Sequence, residues 1–439
     1  MWWEVPGHLE VKSGKLHIAG WDAENLAHSY GTPLHVYNGN RVRDNYRMFY
    51  EVQKKYNPMR EVRIHYAMKT NSNPGILELL LKESSWIDAV SPGEVDLAND
   101  IGYDPGKILF TGSSVSDMDM LSVLHKARIN IDSPSQPKRL RKVLDSVNID
   151  DYSISLRVDP GIRGAGHVPE NITTGCVEIY GERVPTKFGI DRSEIDEVIR
   201  WADNHDFKIS GLHFHIGSNW RTGEEIDSFL RNLEWVLDKS KKYTKLLGYE
   251  FEFIDVGGGP GVRYRGEQEE FPLDDYAKEV AQRIDGSGLW LQAVAFEPGR
   301  YVSADVGLLL AEVVDIKKKD GKWVVGVDTG FNHLPRPEVY NSYHHATVCS
   351  KADAEPEANI MIAGNVCETG DYLTRNPIAR RMPMPEEGDV IAFHTTGAYV
   401  NAMEMKNYNK RLPAPELLIH NGHHSYYSER IERKTHVFF

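Results

Sequence analysis

The feature that most constrains the fold is the alternation of short apolar runs with longer helical patterns between about residues 60 and 297. In the longer stretches, such as NPGILELLLKES (73–84), large apolar residues recur every three or four positions, as on the buried face of a helix. Strands that alternate with helices pair in parallel through crossover connections, and eight such units predict a closed (β/α)8 barrel. The predicted strands are VRIHYAMK (62–69), WIDAVS (86–91), KILFTG (107–112), INID (129–132), SISLRVD (153–159), ISGLHFHIGS (209–218), EFIDVGG (252–258) and AVAFEP (293–298).

The residue pattern inside these strands also favours a closed barrel. In the first strand, Arg63, His65 and Lys69 share one face, and Val62 and Ile64 lie on the other. An apolar outer face can meet the helices while polar groups point into the barrel, whereas the strands of an open parallel sheet are more often apolar on both faces. The polar residues cluster at the carboxyl ends of the strands, where barrel active sites are built. We therefore expect the site at this end, with Lys69 on the inward face of its strand.

After residue 300 the pattern changes to short apolar runs bounded by Gly and Pro. The segment AEVVDIKKKDGKWVVGVD (311–328) predicts two strands around a Lys-Asp-Gly turn. We expect a mainly β second domain over residues 298–439, joined by residues 1–38 with their strand-like runs KLHIAG and PLHVYN. The barrel domain is then residues 39–297. The predicted fold class is α/β, a (β/α)8 barrel with a β-rich C-terminal domain.

Composition restricts the partners. Lys and Arg total 51 against 64 Asp and Glu, a net charge of −13, which argues against nucleic acid or an anionic membrane surface as the ligand. No uncharged apolar stretch reaches the roughly 18 residues of a membrane span, and the first residues lack the pattern of a signal peptide. The cysteines, Cys176, Cys349 and Cys367, form no C-x-x-C pair. They favour a reducing compartment, so we expect a cytoplasmic protein with a small-molecule ligand.

Two motifs at strand ends suggest covalent and phosphate chemistry. A lysine buried at Lys69 in HYAMKTN (65–71) would lose its charge by desolvation, and a neutral amine can bond to a carbonyl carbon. The segment DVGGGPG (255–261) places three glycines after an apolar strand. Bare backbone amides there can cradle a phosphate, although such turns also occur for packing alone.

Three further positions have alternative interpretations. His213 and His215 suit a metal pair, a ring lying against an aromatic cofactor, or satisfied barrel histidines; no further ligand follows at helical spacing, so no metal is expected. Glu297 in FEPGR (296–300) either pairs with an arginine or bonds a protonated pyridine nitrogen. Cys367 has no basic neighbour in sequence that would lower its pKa, and by spacing alone we expect a buried structural cysteine.

Taken together, these motifs resemble one family. HYAMKTN, HFHIGS, DVGGGPG, EPGR, CETGD and GAY occur in the order found in the fold-type III pyridoxal-phosphate (PLP) decarboxylases, a group similar to alanine racemase and eukaryotic ornithine decarboxylase. The resemblance covers essentially the whole chain. Within the group, LPRPEVYNSYH (334–344), TKFGI (186–190) and GAYVNAMEMKNYNKRLPAPELLI (397–419) are most similar to diaminopimelate decarboxylases. The resemblance implies a PLP enzyme that converts meso-diaminopimelate to L-lysine.

The resemblance also implies roles for individual residues in binding the cofactor. Lys69 would bond it covalently, His215 would lie on one face of its ring, and Glu297 would bond the pyridine nitrogen. Asp88 and Arg157 would lie nearby, with His213 lining the pocket around Lys69. The phosphate would be held by Ser218, Gly257, Gly258, Gly259 and Tyr399.

A second set of residues is implied for the substrate. Arg300, Arg336 and Tyr340 would recognise the far carboxylate of diaminopimelate, and Glu368 its far amino group. Cys367 would return a proton to the carbon after carbon dioxide leaves. In such enzymes the cysteine and the glutamate act in the partner's site, so the resemblance implies a homodimer with shared active sites.

Departures from the family pattern keep other substrates open. The segment 164–186 is longer than usual, Asn219 and Thr369 replace the usual glutamine and serine, and MEMK (403–406) replaces an SMSS-like stretch. The alternative is a sister decarboxylase acting on D-ornithine, D-lysine, carboxynorspermidine or a siderophore precursor. A non-catalytic PLP protein is disfavoured because Lys69, Glu297 and Cys367 are present, and Glu297 also argues against a racemase.

Overall fold

The computed structural model describes residues 1–166, 171–179 and 181–428. The contacts between residues divide the chain into two compact units. The barrel unit comprises Asn45–Val262 and Glu269–Val302, and the sheet unit comprises Met1–Asp44, Arg263–Gln268 and the chain from Ser303 onward. The segment Arg263–Gln268 thus lies in the sheet unit, whereas the predicted division at 38/39 and 297/298 included it in the barrel domain. Residues 167–170 and 180 of the long segment 164–186 lie outside the described residues.

The elements are numbered in chain order. The described strands are β1 (Leu9–Lys12), β2 (Lys15–Ile18), β3 (Trp21–Asp22), β4 (Leu34–Asn38), β5 (Glu61–Ala67), β6 (Trp86–Ala89), β7 (Ile108–Phe110), β8 (Arg128–Ile131), β9 (Tyr152–Asp159), β10 (Cys176–Ile179), β11 (Glu182–Pro185), β12 (Ile190–Asp191), β13 (Phe207–His213), β14 (Phe253–Gly258), β15 (Ala293–Glu297), β16 (Gly307–Lys319), β17 (Lys322–Val327), β18 (Ala346–Val348), β19 (Ala358–Ala363), β20 (Arg380–Met382), β21 (Val390–His394), β22 (Glu416–His420) and β23 (His423–Ser428). The described α-helices are α1 (Ala23–Tyr30), α2 (Gly39–Tyr56), α3 (Pro74–Lys82), α4 (Pro92–Ile101), α5 (Asp117–Val123), α6 (Gln136–Ser146), α7 (Ile195–Asp203), α8 (Gly223–Leu247), α9 (Leu273–Ser287), α10 (Gly299–Ser303) and α11 (Arg336–Tyr340).

The barrel closes as the sequence predicts. Eight parallel strands neighbour one another in the order β9, β13, β14, β15, β5, β6, β7 and β8, and β8 pairs again with β9. The first barrel strand along the chain, β5, pairs with the last, β15, from Ala293 opposite Glu61 to Phe296 opposite Ile64. All eight predicted strands are present, so the prediction of a closed (β/α)8 barrel is confirmed. The carboxyl ends of these strands meet at one mouth of the barrel.

Six of the eight predicted barrel strands end earlier than expected, and the ends of β5 and β13 bear on the site. β5 stops at Ala67, and Met68–Thr70 form a 3₁₀ turn in which Oγ1 of Thr70 donates to the carbonyl of Ala67 at 2.8 Å. β13 likewise stops at His213 rather than at residue 218. The expectation that Lys69 lies on the inward face of its strand is therefore wrong. Lys69 lies on the turn that follows the strand.

The helices of the barrel unit have conventional ends and buried faces. α8 begins with a capping box in which Thr222 and Glu225 bond each other's backbone, and it ends at Gly248, whose φ of 76° suits glycine. Trp220 is fully buried, with ring centroids 5.2 Å from Phe229 of α8 and 5.6 Å from Tyr276 of α9. These aromatic contacts hold both helices beside the segment that follows β13. None of the described helices has the length and apolar character needed to cross a membrane.

The sheet unit is built around β16. This strand forms a hairpin with β17 across the predicted Lys-Asp-Gly turn, where Asp320 and Gly321 have φ of 46° and 73°. It also pairs with β21 and with β4. β4 comes from the first 38 residues and pairs with β22 on its other side. The core of this unit includes Leu309, Val325 and Phe393, each fully buried.

The N-terminal tryptophans cover a pair of histidines in the sheet unit. Trp3 packs edge-on against His394 with ring centroids 4.8 Å apart, and Trp2 lies 5.7 Å from His345. The two imidazoles are 5.0 Å apart. Burial, with the nearby Arg380 guanidinium adding to it, lowers the pKa of His345 from 6.5 to about 4, and burial lowers the pKa of His394 well below its ordinary value. Both imidazoles are therefore neutral in the folded protein at neutral pH.

This cluster predicts acid sensitivity. Below pH 6.5 the unfolded chain binds a proton at His345 that the folded chain does not bind until about pH 4. Stability is thus complete above pH 6.5 and falls as the pH drops, by up to about 2 kcal/mol between pH 6.5 and 5 from this residue. Urea unfolding at several pH values measures the slope. His345→Phe should flatten it, whereas His28→Phe, at an exposed position of α1, should leave it unchanged. Equal slopes for His345→Phe and the wild type would contradict the assignment.

Candidate functional site

Lys69 and Asp88 form an ion pair at the mouth of the barrel. Nζ of Lys69, on the turn after β5, lies 2.8 Å from Oδ2 of Asp88, which is on β6 and 1% exposed. Burial raises the pKa of Asp88, and the nearby Glu297 carboxylate raises it further. A carboxylate with a raised pKa this close to an ammonium can accept its proton. The pair can therefore deliver the neutral amine that a bond to a carbonyl carbon needs.

Glu297 and His213 face each other inside the barrel. Glu297 ends β15, His213 ends β13, and Oε1 of Glu297 lies 3.5 Å from Nε2 of His213. Both are at most 4% exposed, and neither atom has a hydrogen-bond partner among the described residues. Burial lowers the pKa of His213, but the Glu297 carboxylate outweighs burial, so the net pKa is raised. The Glu297 carboxylate thus favours a positively charged group beside it, and a protonated ring nitrogen of a ligand would be such a group.

His215 lies two residues beyond β13, and its Nδ1 accepts a hydrogen bond from the amide of Gly258 at 3.0 Å. The surrounding protein lowers the pKa of His215 well below 6.5, and the Lys69 ammonium lowers it further. The imidazole is therefore neutral, and its orientation is fixed by the glycine segment. A flat, uncharged ring held in this way suits packing against an aromatic ligand.

The glycine segment after β14 makes a close-fitting cradle. A Cβ on Gly258 would lie 2.0 Å from the carbonyl oxygen of Glu297, and a Cβ on Gly259 would lie 2.2 Å from that of Gly217. Gly259 also has a φ of 109°, which side chains disfavour. The amides of Gly257 and Gly258 donate to Asp255 and His215, at 2.9 and 3.0 Å. Only glycine fits at Gly258 and Gly259, so backbone can approach a ligand closely here.

Ser218 and Arg300 meet beside this cradle. Nε and Nη2 of Arg300, on α10, donate to Oγ of Ser218 at 3.2 and 3.0 Å, and Arg300 is 5% exposed. The amide of Ser218 donates to the carbonyl of Asn171 at 3.1 Å. The predictions put Ser218 with the phosphate and Arg300 with the substrate. The structure brings the two residues together, and a guanidinium and a hydroxyl in contact suit a phosphate.

Arg157 occupies another part of the barrel interior. Its guanidinium lies 4.5 Å from the centroid of the Phe188 ring, and Nη1 is 3.6 Å from Oδ1 of Asp132. Oδ1 of Asp132 also accepts the amide of Gly189 at 2.9 Å. Arg157 is thus held against the TKFGI segment, where it adds positive charge near both histidines of the HFHIGS motif.

Arg336 and Tyr340 begin and end α11 in the sheet unit. Arg336 is 2% exposed, its Nη1 lies 2.9 Å from Nε2 of His344, and its guanidinium is 4.9 Å from the centroid of the Tyr264 ring. A guanidinium can donate two parallel hydrogen bonds to a carboxylate, so Arg336 is a candidate for binding an anionic ligand. Tyr399, at φ 58°, also lies in this unit and follows Gly397.

The loop with Cys367 and Glu368 is connected to α11 within the sheet unit. Arg375 donates to the carbonyl of Gly370 at 2.7 Å and forms an ion pair with Glu338 of α11. Cys367 is exposed, and its amide donates to Oδ1 of Asn409 at 2.7 Å. The expectation from spacing that Cys367 is buried and structural is wrong, because the loop presents its thiol at the surface of the chain.

Three residues that organise the site, Asn130, Asp255 and Asp371, were not singled out from the sequence. Asn130 contacts His213, and Asp255 pairs with His65 at 3.0 Å while accepting the amide of Gly257 at 2.9 Å. Asp371 accepts the amides of Val366 and Phe331, each at 2.8 Å, and so shapes the cysteine loop. For Asn130 and Asp255 a signal existed: both are polar residues within otherwise apolar strands.

The cluster of His65, Asp255 and Glu297 offers three ligand atoms within 4.8 Å of one another. Asp255 is already engaged by His65 and by the Gly257 amide, and the His65 contact outweighs burial in lowering its pKa. We therefore assign Asp255 to holding the glycine turn and Glu297 to a ligand at the barrel mouth.

The residues present fit PLP. The cofactor needs an amine for its aldehyde, an anionic acceptor for its pyridine nitrogen and a close-fitting anion site for its phosphate. Lys69 with Asp88, the buried Oε1 of Glu297 without a hydrogen-bond partner among the described residues, and the cradle at Gly258–Gly259 meet these needs at one mouth of the barrel.

Gly258→Ala should damage this site specifically. The added methyl group would collide with the Glu297 carbonyl, so β14 and β15 must separate and Glu297 must shift. We expect a loss of stability of about 1–3 kcal/mol and at least about tenfold weaker PLP binding, measured by thermal unfolding and absorbance titration. Gly286→Ala is the matched control, because no atom lies within 4 Å of its added Cβ in α9. Unchanged PLP affinity in Gly258→Ala would contradict the cradle.

Comparison with known proteins also indicates PLP as the cofactor. Residues 43–304 match the family described as pyridoxal-dependent decarboxylase, pyridoxal binding domain. A diaminopimelate decarboxylase of Methanothermobacter thermautotrophicus is 39% identical over 421 residues, which is 94% of this chain and 93% of the relative.

Two solved structures are similar over almost their whole length. Diaminopimelate decarboxylase of M. jannaschii in co-complex with L-lysine has a TM-score of 0.84 at 29% identity, covering 96% of this chain and 95% of that one. The Helicobacter pylori diaminopimelate decarboxylase complexed with L-lysine has a TM-score of 0.82 at 29% identity, covering 93% and 96%. With the family match over more than half of the sequence, these similarities show that the chain belongs to the pyridoxal-dependent decarboxylase family and uses PLP as its cofactor.

Proposed function

We propose that this decarboxylase acts on meso-diaminopimelate and releases L-lysine, as part of lysine synthesis. The observation that carries the reaction type is the buried Glu297 carboxylate at the barrel mouth. Loss of carbon dioxide leaves an electron pair on carbon, and PLP, when bound, supplies the electron sink that accepts it. An acidic partner at the ring nitrogen strengthens that sink. The names of the relatives and of the lysine-bound structures support the substrate.

The barrel residues have separate proposed roles. Asp88 would take the proton of Lys69, and the neutral amine of Lys69 would then hold the cofactor through its aldehyde carbon. His215, neutral and fixed by the Gly258 amide, supports one face of the ring. Ser218, Arg300 and the amide of Gly259 hold the phosphate, because the amides of Gly257 and Gly258 are already used. Tyr399 is assigned to the phosphate by the resemblance alone.

The sheet-unit residues are proposed to serve the far end of the substrate and the proton return. Arg336 and Tyr340 bind the far carboxylate, and Glu368 binds the far amino group. The thiol of Cys367 gives a proton to the carbon that has lost carbon dioxide. Arg300 lies on Ser218, so its assignment to the substrate is the weakest of the set. Arginine suits the carboxylate because its guanidinium can donate two parallel hydrogen bonds.

We further propose a homodimer in which Cys367 and Glu368 act in the partner's site. An exposed thiol on a hydrogen-bonded loop is suited to reaching a substrate on another subunit. Free cysteines at residues 176, 349 and 367 favour a reducing compartment, which supports a cytoplasmic location.

Substrate choice is tested by carbon dioxide release from the PLP-loaded protein. We expect meso-diaminopimelate to be strongly preferred over D-lysine, D-ornithine and carboxynorspermidine. Arg336→Ala should lower kcat/KM for diaminopimelate by about a hundredfold or more, because a charged hydrogen-bonded pair is lost. It should have little effect on D-lysine, which lacks the far carboxylate. Arg381→Ala removes an exposed charge of the same unit and is the control.

Two outcomes would redirect the assignment. Turnover of another amine with none of diaminopimelate would make the protein a sister decarboxylase with the same mechanism. Equal losses on both substrates in Arg336→Ala would mean that Arg336 is structural.

Shared active sites are tested by mixing two inactive variants. Lys69→Ala and Cys367→Ala should each have little activity. After dissociation and reassociation, half of the dimers are mixed, and each mixed dimer holds one intact site, so activity should return to about a quarter of the wild-type value. If both residues come from one subunit, mixing restores none. Mixing Lys69→Ala with Glu297→Ala is the control, because both residues lie in the barrel unit of one chain.

A further inference from the structure

A chain of three buried polar side chains leads to Glu297 from inside the barrel. Oγ of Ser155, on β9, donates to Oδ1 of Asn130, on β8, at 2.9 Å. Nδ2 of Asn130 lies 2.8 Å from Nδ1 of His213. Ser155, Asn130 and His213 are each at most 2% exposed. The chain ends at Nε2 of His213, which lies 3.5 Å from Oε1 of Glu297.

This arrangement selects one form of the His213 ring. An amide nitrogen can only donate, so Nδ1 of His213 must accept, and a neutral imidazole then carries its proton on Nε2. The Ser155 hydroxyl sets the orientation of the Asn130 amide by donating to its oxygen. Thr111 lies on the nitrogen side of the same amide, 3.2 Å away. The ring nitrogen that carries the proton, Nε2, is therefore the one that lies 3.5 Å from Oε1 of Glu297.

The charges around His213 favour a proton on Nε2, the ring nitrogen that faces Glu297. Burial lowers its pKa, but the carboxylates of Glu297 and Asp255 outweigh burial and the opposing Arg157. Asp255 is engaged by His65 and the Gly257 amide, and Asp88 by Lys69, so each of these neighbouring carboxylates has its own donors. Within the part of the chain that the structure describes, the ion pair of Glu297 is with His213.

We propose that Ser155, Asn130 and His213 are positioning residues that keep the Nε2 proton of His213 directed at Glu297 and so hold Glu297 as the acceptor for the cofactor's ring nitrogen. The proposal rests on the role proposed above for Glu297. It makes the strength of the electron sink depend on residues that contact neither the cofactor nor the substrate. A purely structural role would make them matter equally for any cofactor of the same shape.

A binding cycle separates these two roles. The apoprotein is titrated with PLP and with the analogue in which the ring nitrogen is replaced by C–H, and the ratio of the two dissociation constants measures recognition of the nitrogen. Wild-type protein should prefer PLP. Asn130→Leu should reduce that preference about tenfold, as expected for losing a hydrogen bond that supports a charged group. An equal loss of affinity for both cofactors would overturn the proposal.

Matched variants keep the test decisive if Asn130→Leu folds poorly. Ser155→Ala should reduce the preference, whereas Ser210→Ala should not, because the Ser210 hydroxyl donates to the main chain at Ile154 and lies outside this chain of contacts. His213→Gln, whose amide nitrogen takes the place of Nε2, should keep more of the preference than His213→Leu. Equal results within either pair would contradict the proposal.

Glu297→Gln in the same assay separates the proposed role of Glu297 from the proposed role of the three positioning residues. If Glu297→Gln keeps the full preference for PLP, Glu297 is not the partner of the ring nitrogen, and the proposed function loses its central assignment. If Glu297→Gln loses the preference while the Asn130, Ser155 and His213 variants keep it, the proposed function stands and only the positioning role fails.

Discussion

Burying the carboxylate of Glu297 is the constraint around which the barrel interior is arranged. A buried carboxylate is costly unless donors or positive charge accompany it. His213 accompanies Glu297, His65 accompanies Asp255, and Lys69 accompanies Asp88. Each pair joins residues of two different strands or strand ends. The polar side chains inside the barrel therefore compensate one another in pairs, and Glu297 remains available to a cationic ring.

The sequence was sufficient to predict the architecture because the spacing of apolar residues along the chain reflects which side chains are buried. The eight strands, the Lys-Asp-Gly hairpin and the recruitment of PLHVYN to the second unit all follow from alternation and turn residues. The residues at which the strands end could not be predicted in this way. The turn at Met68–Thr70 depends on a hydroxyl of Thr70 bonding the carbonyl of Ala67, and local propensity does not record such contacts. That turn lifts Lys69 from the strand to the mouth.

Sequence motifs supplied candidate site residues one at a time but not the contacts between them. Motifs located Lys69, His215, Glu297 and the glycines, whereas Asn130 and His213 are 83 positions apart, and only barrel closure brings them to 2.8 Å. The exposure of Cys367 was also inaccessible from spacing, since it depends on Asn409, far along the chain, bonding its amide. Sequence patterns thus identify chemical groups, while the three-dimensional fold decides which groups hold one another.

The MEMK stretch (403–406), where the sequence departs from the family pattern, has a structural role in the sheet unit. The side chain of Glu404, in this stretch, has no exposed surface, lies 3.8 Å from His35 and 3.7 Å from His333, and accepts the amide of Ala414 at 3.1 Å. It therefore fastens the segment that follows Tyr399 to the interior of its own unit. The same segment supplies Asn409 to the amide of Cys367. All of these contacts are made by Oε1 of Glu404, so packing within the sheet unit accounts for a glutamate at this position of the MEMK stretch.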